Sequence, residues 1–283
     1  MVYRRTLRLN VSGNQLEIEQ GQRFEFGKNW DRFLNILDDT RILEAEKSLK
    51  EMLELSDLSG KRFVDIGSGS GLFSLCARRL GASVTSFDYD PQSVACTAEL
   101  KRRYYPDDPE WRVEAGSVLD QEYLASLGQF DVVYSWGVLH HTGKMWAALE
   151  NVVPLVQENG KLFIAIYSDE GGASRRWRTV KRIYCQLPNP LKFMVLWPAT
   201  LWFWLPTMLR DLVAGKPFYT WRTFSSRRGM SAWRDMVDWV GGYPYEFARA
   251  EDIFEFYKKR GFVLTRLFTG YLGCNEFVMR KER

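Results

Sequence analysis

The stretch Phe63-Val-Asp65-Ile-Gly67-Ser-Gly69-Ser-Gly71-Leu72 constrains this 283-residue chain more than any other. It lies between an apolar run and a helical pattern, so it reads as the turn from a strand into a helix. Glycines there let the backbone turn tightly and a ligand come close. Open α/β sheets bind ligands at this carboxyl edge, where a helix amino end offers free N–H groups. From Arg62 onward, short apolar runs alternate with helical patterns. They predict strands at about 62–66, 83–88, 111–115, 130–136 and 161–167, with helices near 71–80, 91–104, 121–127 and 144–156. Such alternation means a doubly wound α/β sheet, parallel and covered on both faces. It stops after Tyr167 for about eighty residues, a long gap for a connection. It resumes with a helix at 250–260 and strands at 262–268 and 275–281. The link from Thr269 to Gly273 is too short for a crossover helix, so the last two strands run antiparallel.

Spacing in the glycine turn discriminates between ligands. A nicotinamide fingerprint needs a small residue where this chain has Leu72. Asp65, two residues before the first glycine, is poor company for a pyrophosphate and good company for an ammonium group. Asp88 closes the second strand about twenty residues on, where an acid takes ribose hydroxyls. A cationic, ribose-bearing, phosphate-free cofactor fits all three.

On these residues the chain resembles the class I S-adenosylmethionine-dependent methyltransferases, near the ubiquinone/menaquinone C-methylase branch, over roughly 60–167 and 250–281. The resemblance implies a mostly parallel seven-stranded sheet whose last strand is antiparallel, a Rossmann-like methyltransferase fold with an N-terminal lid and an inserted cap. It also implies S-adenosyl-L-methionine as cofactor and S-adenosylhomocysteine as product. Asp65, Gly67, Ser68, Gly69 and Gly71 match the first motif, Asp88 the ribose-binding acid and Tyr89 the residue beside the adenine. Where the family often has an Asp for the adenine amino group, this chain has Gly116-Ser117-Val118, so Ser117 and Val118 are the expected contacts, with Asp120 in reserve. Ser135 and Trp136, ending the fourth strand, complete the expected cofactor set; a plain packing role for Trp136 is the rival reading.

The chain has two histidines, adjacent at His140 and His141, just past the fourth strand. Methyl transfer is an in-line displacement in which the cofactor carries the hard chemistry. The protein aligns the nucleophile and, for a hydroxyl or ammonium acceptor, removes a proton. Histidine suits that role, and His141, matching the family's recurrent histidine, is the first candidate; helix capping is the bland alternative. Tyr167 and Asp169 follow the fifth strand on the same edge, and Tyr243, Tyr245 and Glu246 lie in a loop before the last helix; all five are acceptor-contact candidates, with Tyr167 also counted as catalytic.

The remainder divides as 1–60, a hairpin around Ser12-Gly13-Asn14 plus a helical lid that includes Phe26, Asn29, Trp30 and a helix capped by Thr40; 61–167, the cofactor core; 168–248, an inserted cap; and 249–283, the closing helix and strand pair. The cap holds 12 Lys/Arg against 6 Asp/Glu and seven of the 11 Trp, whereas the whole chain carries a net charge of only +4. Residues 193–209 contain no charge and two prolines, Pro198 and Pro206. That pattern predicts either a helical pair in a membrane interface or a buried cap wall or homodimer contact. The basic run 175–182 reads as a solvated face, a lipid or phosphate contact, or, least favoured, an RNA surface.

Four cysteines at 76, 96, 185 and 274 show neither a disulfide framework nor metal-ligand spacing, so no metal is expected. The first residues carry no apolar run, so the expected location is cytoplasmic, with peripheral membrane contact through 193–209. The expected reaction is O-, N- or C-methylation of a small-molecule or lipid- or glycan-linked acceptor, with no DNA partner. The alternatives are an RNA methyltransferase and a cofactor-binding scaffold without turnover.

Overall fold

A computed structural model of the chain describes residues 13–27, 30, 34, 37–228, 232–271 and 273–282. Seven strands form one sheet: β1 Arg62–Ile66, β2 Ser83–Asp88, β3 Trp111–Ala115, β4 Phe130–Trp136, β5 Val156–Tyr167, β6 Phe262–Tyr271 and β7 Cys274–Lys281. Their order is β3-β2-β1-β4-β5-β7-β6. β7 runs antiparallel to both neighbours, and the other pairings are parallel. β1, β2 and β4 are buried over most of their length, as a sheet covered on both faces requires. After β3 the chain returns to the far side of β1 to lay down β4. The loops leaving β1 and β4 therefore part and open a crevice at the switch of strand order.

Helices cover both faces: α2 Asp39–Leu53, α3 Leu72–Arg79 and α4 Pro91–Tyr104 on one, α5 Gln121–Leu127, α6 Met145–Val152 and α11 Ala250–Lys258 on the other. Local chemistry starts them. Asp90 caps α4 by accepting from the Gln92 N–H at 2.9 Å, with Pro91 at the first position. Asp120 caps α5 through the Tyr123 N–H at 3.0 Å. In α2 the cap is Asp38, which accepts from the Arg41 N–H at 2.9 Å, so Thr40 lies inside the helix rather than capping it. A carboxylate is the stronger acceptor for an amide of the first turn.

The expected hairpin at the amino end is not there. Its first arm and its turn residue Ser12 lie outside the described residues, and 13–19 form a helix, α1. Gln15 Nε2 donates to Glu19 Oε1 at 2.9 Å, one turn on. Leu16 is exposed while Asn14 is buried, the reverse of a strand facing the core. The two residues Leu16 and Ile18 are too short a run to separate period 2 from period 3.6. Asn29 of the expected lid also lies outside the described residues. Gly27 N–H donates to Asp90 Oδ2 at 2.8 Å, tying the amino-terminal segment across the end of β2.

Between β5 and α11 the chain is helical: α7 Gly172–Gln186, α8 Phe193–Val213, α9 Tyr219–Arg228 and α10 Ala232–Gly241. Ser168 and Ala248, at its two ends, pair in a parallel bridge. A small apolar core of its own, including Tyr184, Leu196, Trp204, Met236 and Val240, holds it together. The expected helical pair over 193–209 is instead the single helix α8, continuous through Pro198 and Pro206. Both prolines, and Met194 and Trp202 four residues before them, lie on the exposed face. The backbone bonds that proline removes are thus lost on the open side, while the buried side stays packed. Among the described residues no helix is long and apolar enough to cross a membrane.

Candidate functional site

The turn after β1 is held by its own amides. Gly67 and Ser68 N–H donate to the Phe87 carbonyl at 2.8 and 3.1 Å, Gly71 N–H to the Ser68 carbonyl at 2.8 Å, and Gly69 N–H to Asp88 Oδ2 at 3.0 Å. Few amides remain to cradle a phosphate. Gly67 adopts φ +74°, and a Cβ there would lie 2.4 Å from Val138 Cγ1, so the two loops of the crevice touch only because the residue is glycine. Gly71, also expected at the ligand, does not line the cavity. It opens α3 at φ +82° and packs on Thr97.

Asp65 is buried and its orientation is set by a chain of hydroxyls. Trp111 Nε1 donates to Ser86 Oγ at 2.9 Å, Ser86 Oγ to Ser74 Oγ at 2.7 Å, and Ser74 Oγ to Asp65 Oδ2 at 2.5 Å. Burial pushes the Asp65 carboxyl up to about 7, against the Ser74 hydrogen bond. Burial likewise raises Asp88 to about 6, although the Asp90 and Gly69 N–H groups pull it down. Among the described residues neither acid has an ion-pair partner. Two desolvated carboxyls without a cation are a site that a cationic ligand would relieve.

These acids line a cavity of about 1180 Å³. Single-ligand pockets run to about 1,000 Å³, so there is room for two partners. The cofactor candidates Gly67, Ser68, Gly69, Asp88, Tyr89, Ser117, Val118 and Trp136 line it. Ser135 does not: it is fully buried and its Oγ donates to the Ile66 carbonyl at 3.0 Å, clamping β4 to β1. Several lining residues had not been expected. Asn14, Glu17 and Arg23 come from the amino-terminal segment, where Tyr89 Oη donates to Glu17 Oε1 at 3.3 Å and the Arg23 guanidinium lies 5.0 Å over the Tyr89 ring. Phe203, Trp204, Met236 and Trp239 come from the cap and, with Phe24 and Phe26, give the cavity a largely aromatic wall. The tryptophan enrichment was the visible signal for that wall, but not for which tryptophans form it.

His141 lines the cavity and His140 does not. The Nδ1 of His141 lies 2.6 Å from the Pro244 carbonyl, which can only accept, so Nδ1 carries the proton and Nε2 the lone pair. Burial holds the His141 pKa down at about 3, outweighing the Pro244 contact, and the charges of Lys181 and Arg23 lower it further. The ring is neutral at physiological pH. His140 is packed between His141 and Tyr167, with centroids 4.5 and 4.1 Å away, and both its ring nitrogens are buried without a hydrogen-bond partner. Its place behind the cavity removes it as a base for a bound acceptor.

Tyr167 lines the cavity, but the other acceptor candidates do not. Asp169 turns back to accept from the Gly171 N–H at 2.8 Å. Tyr245 is buried behind Tyr167 at 4.8 Å between ring centroids. Glu246 accepts from the Met145 N–H at 2.9 Å and braces the start of α6. Tyr243 contributes its backbone carbonyl to the Phe24 N–H at 2.8 Å. The loop meets the site through Pro244, whose carbonyl no side-chain pattern reveals.

Lys181 belongs to the basic run that the sequence leaves as a solvated face, a lipid or phosphate contact or an RNA surface; it is none of these, being fully buried. Its Nζ donates to the Trp239 carbonyl and lies 4.2 and 4.9 Å from the Trp239 and Tyr245 ring centroids. Burial lowers its pKa to about 7. Trp177, Lys181 and Tyr184 follow helical spacing on the inner face of α7, the signal that could have found it. Among the described residues no cluster of His, Cys, Asp or Glu could hold a metal ion.

Comparison with known proteins agrees with this geometry. The sequence model of a methyltransferase domain matches residues 64–162, the span holding the glycine turn, Asp88 and the histidines. The chain is 31% identical over 147 residues to the mitochondrial ubiquinone biosynthesis O-methyltransferase of Schizosaccharomyces pombe, covering 50% of each. Residues 64–162 form a methyltransferase domain. A second relative, the tRNA U34 carboxymethyltransferase of Ectopseudomonas mendocina, is 32% identical over 121 residues, 42% of this chain and 36% of that one. The chain thus spans about half or less of these curated relatives. The fold also matches magnesium protoporphyrin IX methyltransferase from Synechocystis PCC 6803, solved with bound SAH, at a TM-score of 0.54 and 13% identity over 90% of this chain and 95% of that one. The site suits the family's cofactor: the acids want a cation, and the turn's amides are already spent.

Proposed function

We propose that the chain is a methyltransferase that uses S-adenosylmethionine to methylate a small, largely apolar acceptor carrying a hydroxyl or amine. The observation that carries this reading is one cavity lined by two buried acids, by an aromatic wall and by His141. Asp65 and the Asp88–Gly69 pair would hold the cofactor's amino end and ribose, with Tyr89, Ser117 and Val118 around the adenine. When bound, that cofactor supplies an electrophilic methyl group on a sulfonium. The chain's residues do the rest. Phe24, Phe26, Phe203 and Trp239 exclude water and fix the acceptor by apolar contact. His141 Nε2 accepts a hydrogen bond from the acceptor O–H or N–H and so aims its lone pair. A base held at about 3 takes the proton late, once bond formation has made that group strongly acidic. The Pro244 carbonyl fixes the tautomer throughout.

The test is transfer of tritiated methyl from S-adenosylmethionine into fractionated cell extract, with Asp88→Ala as control. Label in the small-solute or lipid fraction, lost in the variant, supports the proposal. Label in nucleic acid would replace it with the RNA reading that the tRNA-modifying relative raises. Cofactor binding without label in any fraction would favour a scaffold.

A further inference from the structure

α8 is apolar on nearly all sides, and such helices are normally buried. Here one side is buried, through Leu196, Ala199, Thr200 and Trp204, and the other is open. Met194, Trp197, Leu201, Trp202, Leu205 and Leu209 form an exposed stripe at helical spacing, with Trp202 at 76% exposure. A contiguous apolar patch of this kind marks an interaction site. The charges around it say which. Between Gly171 and Arg228 the sequence has 11 Lys/Arg and one acid, Asp211. Asp211 is buried and accepts from the Thr220 N–H and Oγ at 2.7 and 2.8 Å, so it shows no negative charge outward. Arg210 and Lys216 are exposed at the carboxyl end of the helix, and Arg178 and Arg182 are exposed on neighbouring α7.

We propose that the outer face of α8 docks on an anionic lipid bilayer. Tryptophans and leucines enter the headgroup boundary while the flanking Lys and Arg meet lipid phosphates, as in interfacial amphipathic helices. A second copy of this chain fits less well. A two-fold contact sets the same patch against itself, and here that brings like charge to like charge. Phe203 is partly exposed beside the stripe and also lines the cavity, so docking would place the acceptor end of the site at the lipid surface. The proposal stands on the surface alone and does not need the methyl-transfer reading.

The test is co-sedimentation of the full chain with vesicles of phosphatidylcholine alone and of equal parts phosphatidylcholine and phosphatidylglycerol, at low and high salt. The expected result is binding to the anionic vesicles, weakened by salt. Trp202→Asp is expected to weaken it roughly ten-fold, while Leu43→Asp, at another exposed apolar site on α2, leaves it unchanged. S-adenosylhomocysteine affinity and the melting temperature of each variant check that it is folded. Equal binding to both vesicle types, or none to either, overturns the proposal. A dimer in solution that Trp202→Asp splits, without vesicle binding, overturns it in favour of a contact between copies.

Discussion

The Nδ1–H of His141 points at the Pro244 carbonyl 2.6 Å away, across 103 positions of sequence. That contact leaves Nε2 as the free lone pair of a ring on the cavity wall, whereas His140 next door has no exposed edge.

His141→Gln is expected to lower kcat by about 10²–10⁴-fold with cofactor affinity unchanged. His140→Gln should act on thermal stability first. Since the His141 pKa is held near 3, the wild-type rate should show no acid limb near the usual histidine value, which a kcat profile from about pH 5 to pH 8 would check.

Asp65 and Asp88 titrate near 7 and 6, so they are protonated below those values and ionised above. A cationic ligand binds the ionised form. Calorimetric affinity for S-adenosylmethionine should therefore rise as pH increases from about 5 to about 8, by up to ten-fold per unit below the pKa. Asp65→Asn should weaken binding and flatten the profile.

Ser74→Ala removes the hydroxyl that pulls the Asp65 pKa down. The midpoint of that affinity profile should move to higher pH, with a stability loss of about 1 kcal/mol. A shift to lower pH would show that the hydroxyl chain does not act on Asp65.

Gly67→Ala places a Cβ against Val138 at a positive φ. Expected are a stability loss of about 1–3 kcal/mol and weakened cofactor binding. Adding Val138→Ala should restore part of both, because it removes the clash and leaves the backbone strain.

Lys181 loses its proton near 7 in the fold and near its ordinary value of about 10.5 when unfolded. Between those values the unfolded chain binds more protons, so stability rises with pH over that window. Lys181→Met should abolish the rise in urea unfolding between about pH 7 and pH 10. It should be neutral or stabilising at the lower end, since a buried cation without a carboxylate partner is replaced by an apolar chain of similar length.

Much of the fold was legible because its signals are local. The glycine turn, the strand ends at Asp88 and Trp136, the helices beginning near 91 and 121, and the antiparallel β6–β7 pair all follow from residues close in sequence. Local readings failed where patterns were short or conflicting. Leu16 and Ile18 could not define a period, and the prolines of α8 suggested a break that the helix avoids by losing its bonds on one open face.

The sequence by itself pointed to where a ligand would bind and to its being cationic, because φ preferences and charge are properties of single residues and their neighbours. Tertiary structure decided which side chains reach it. Loop and helix docking turned Tyr245, Glu246 and His140 away, brought Arg23 and Glu17 in, and sank Lys181 beneath Trp239. Those outcomes depend on which surfaces meet across long separations, and burial then sets the charge that each group carries.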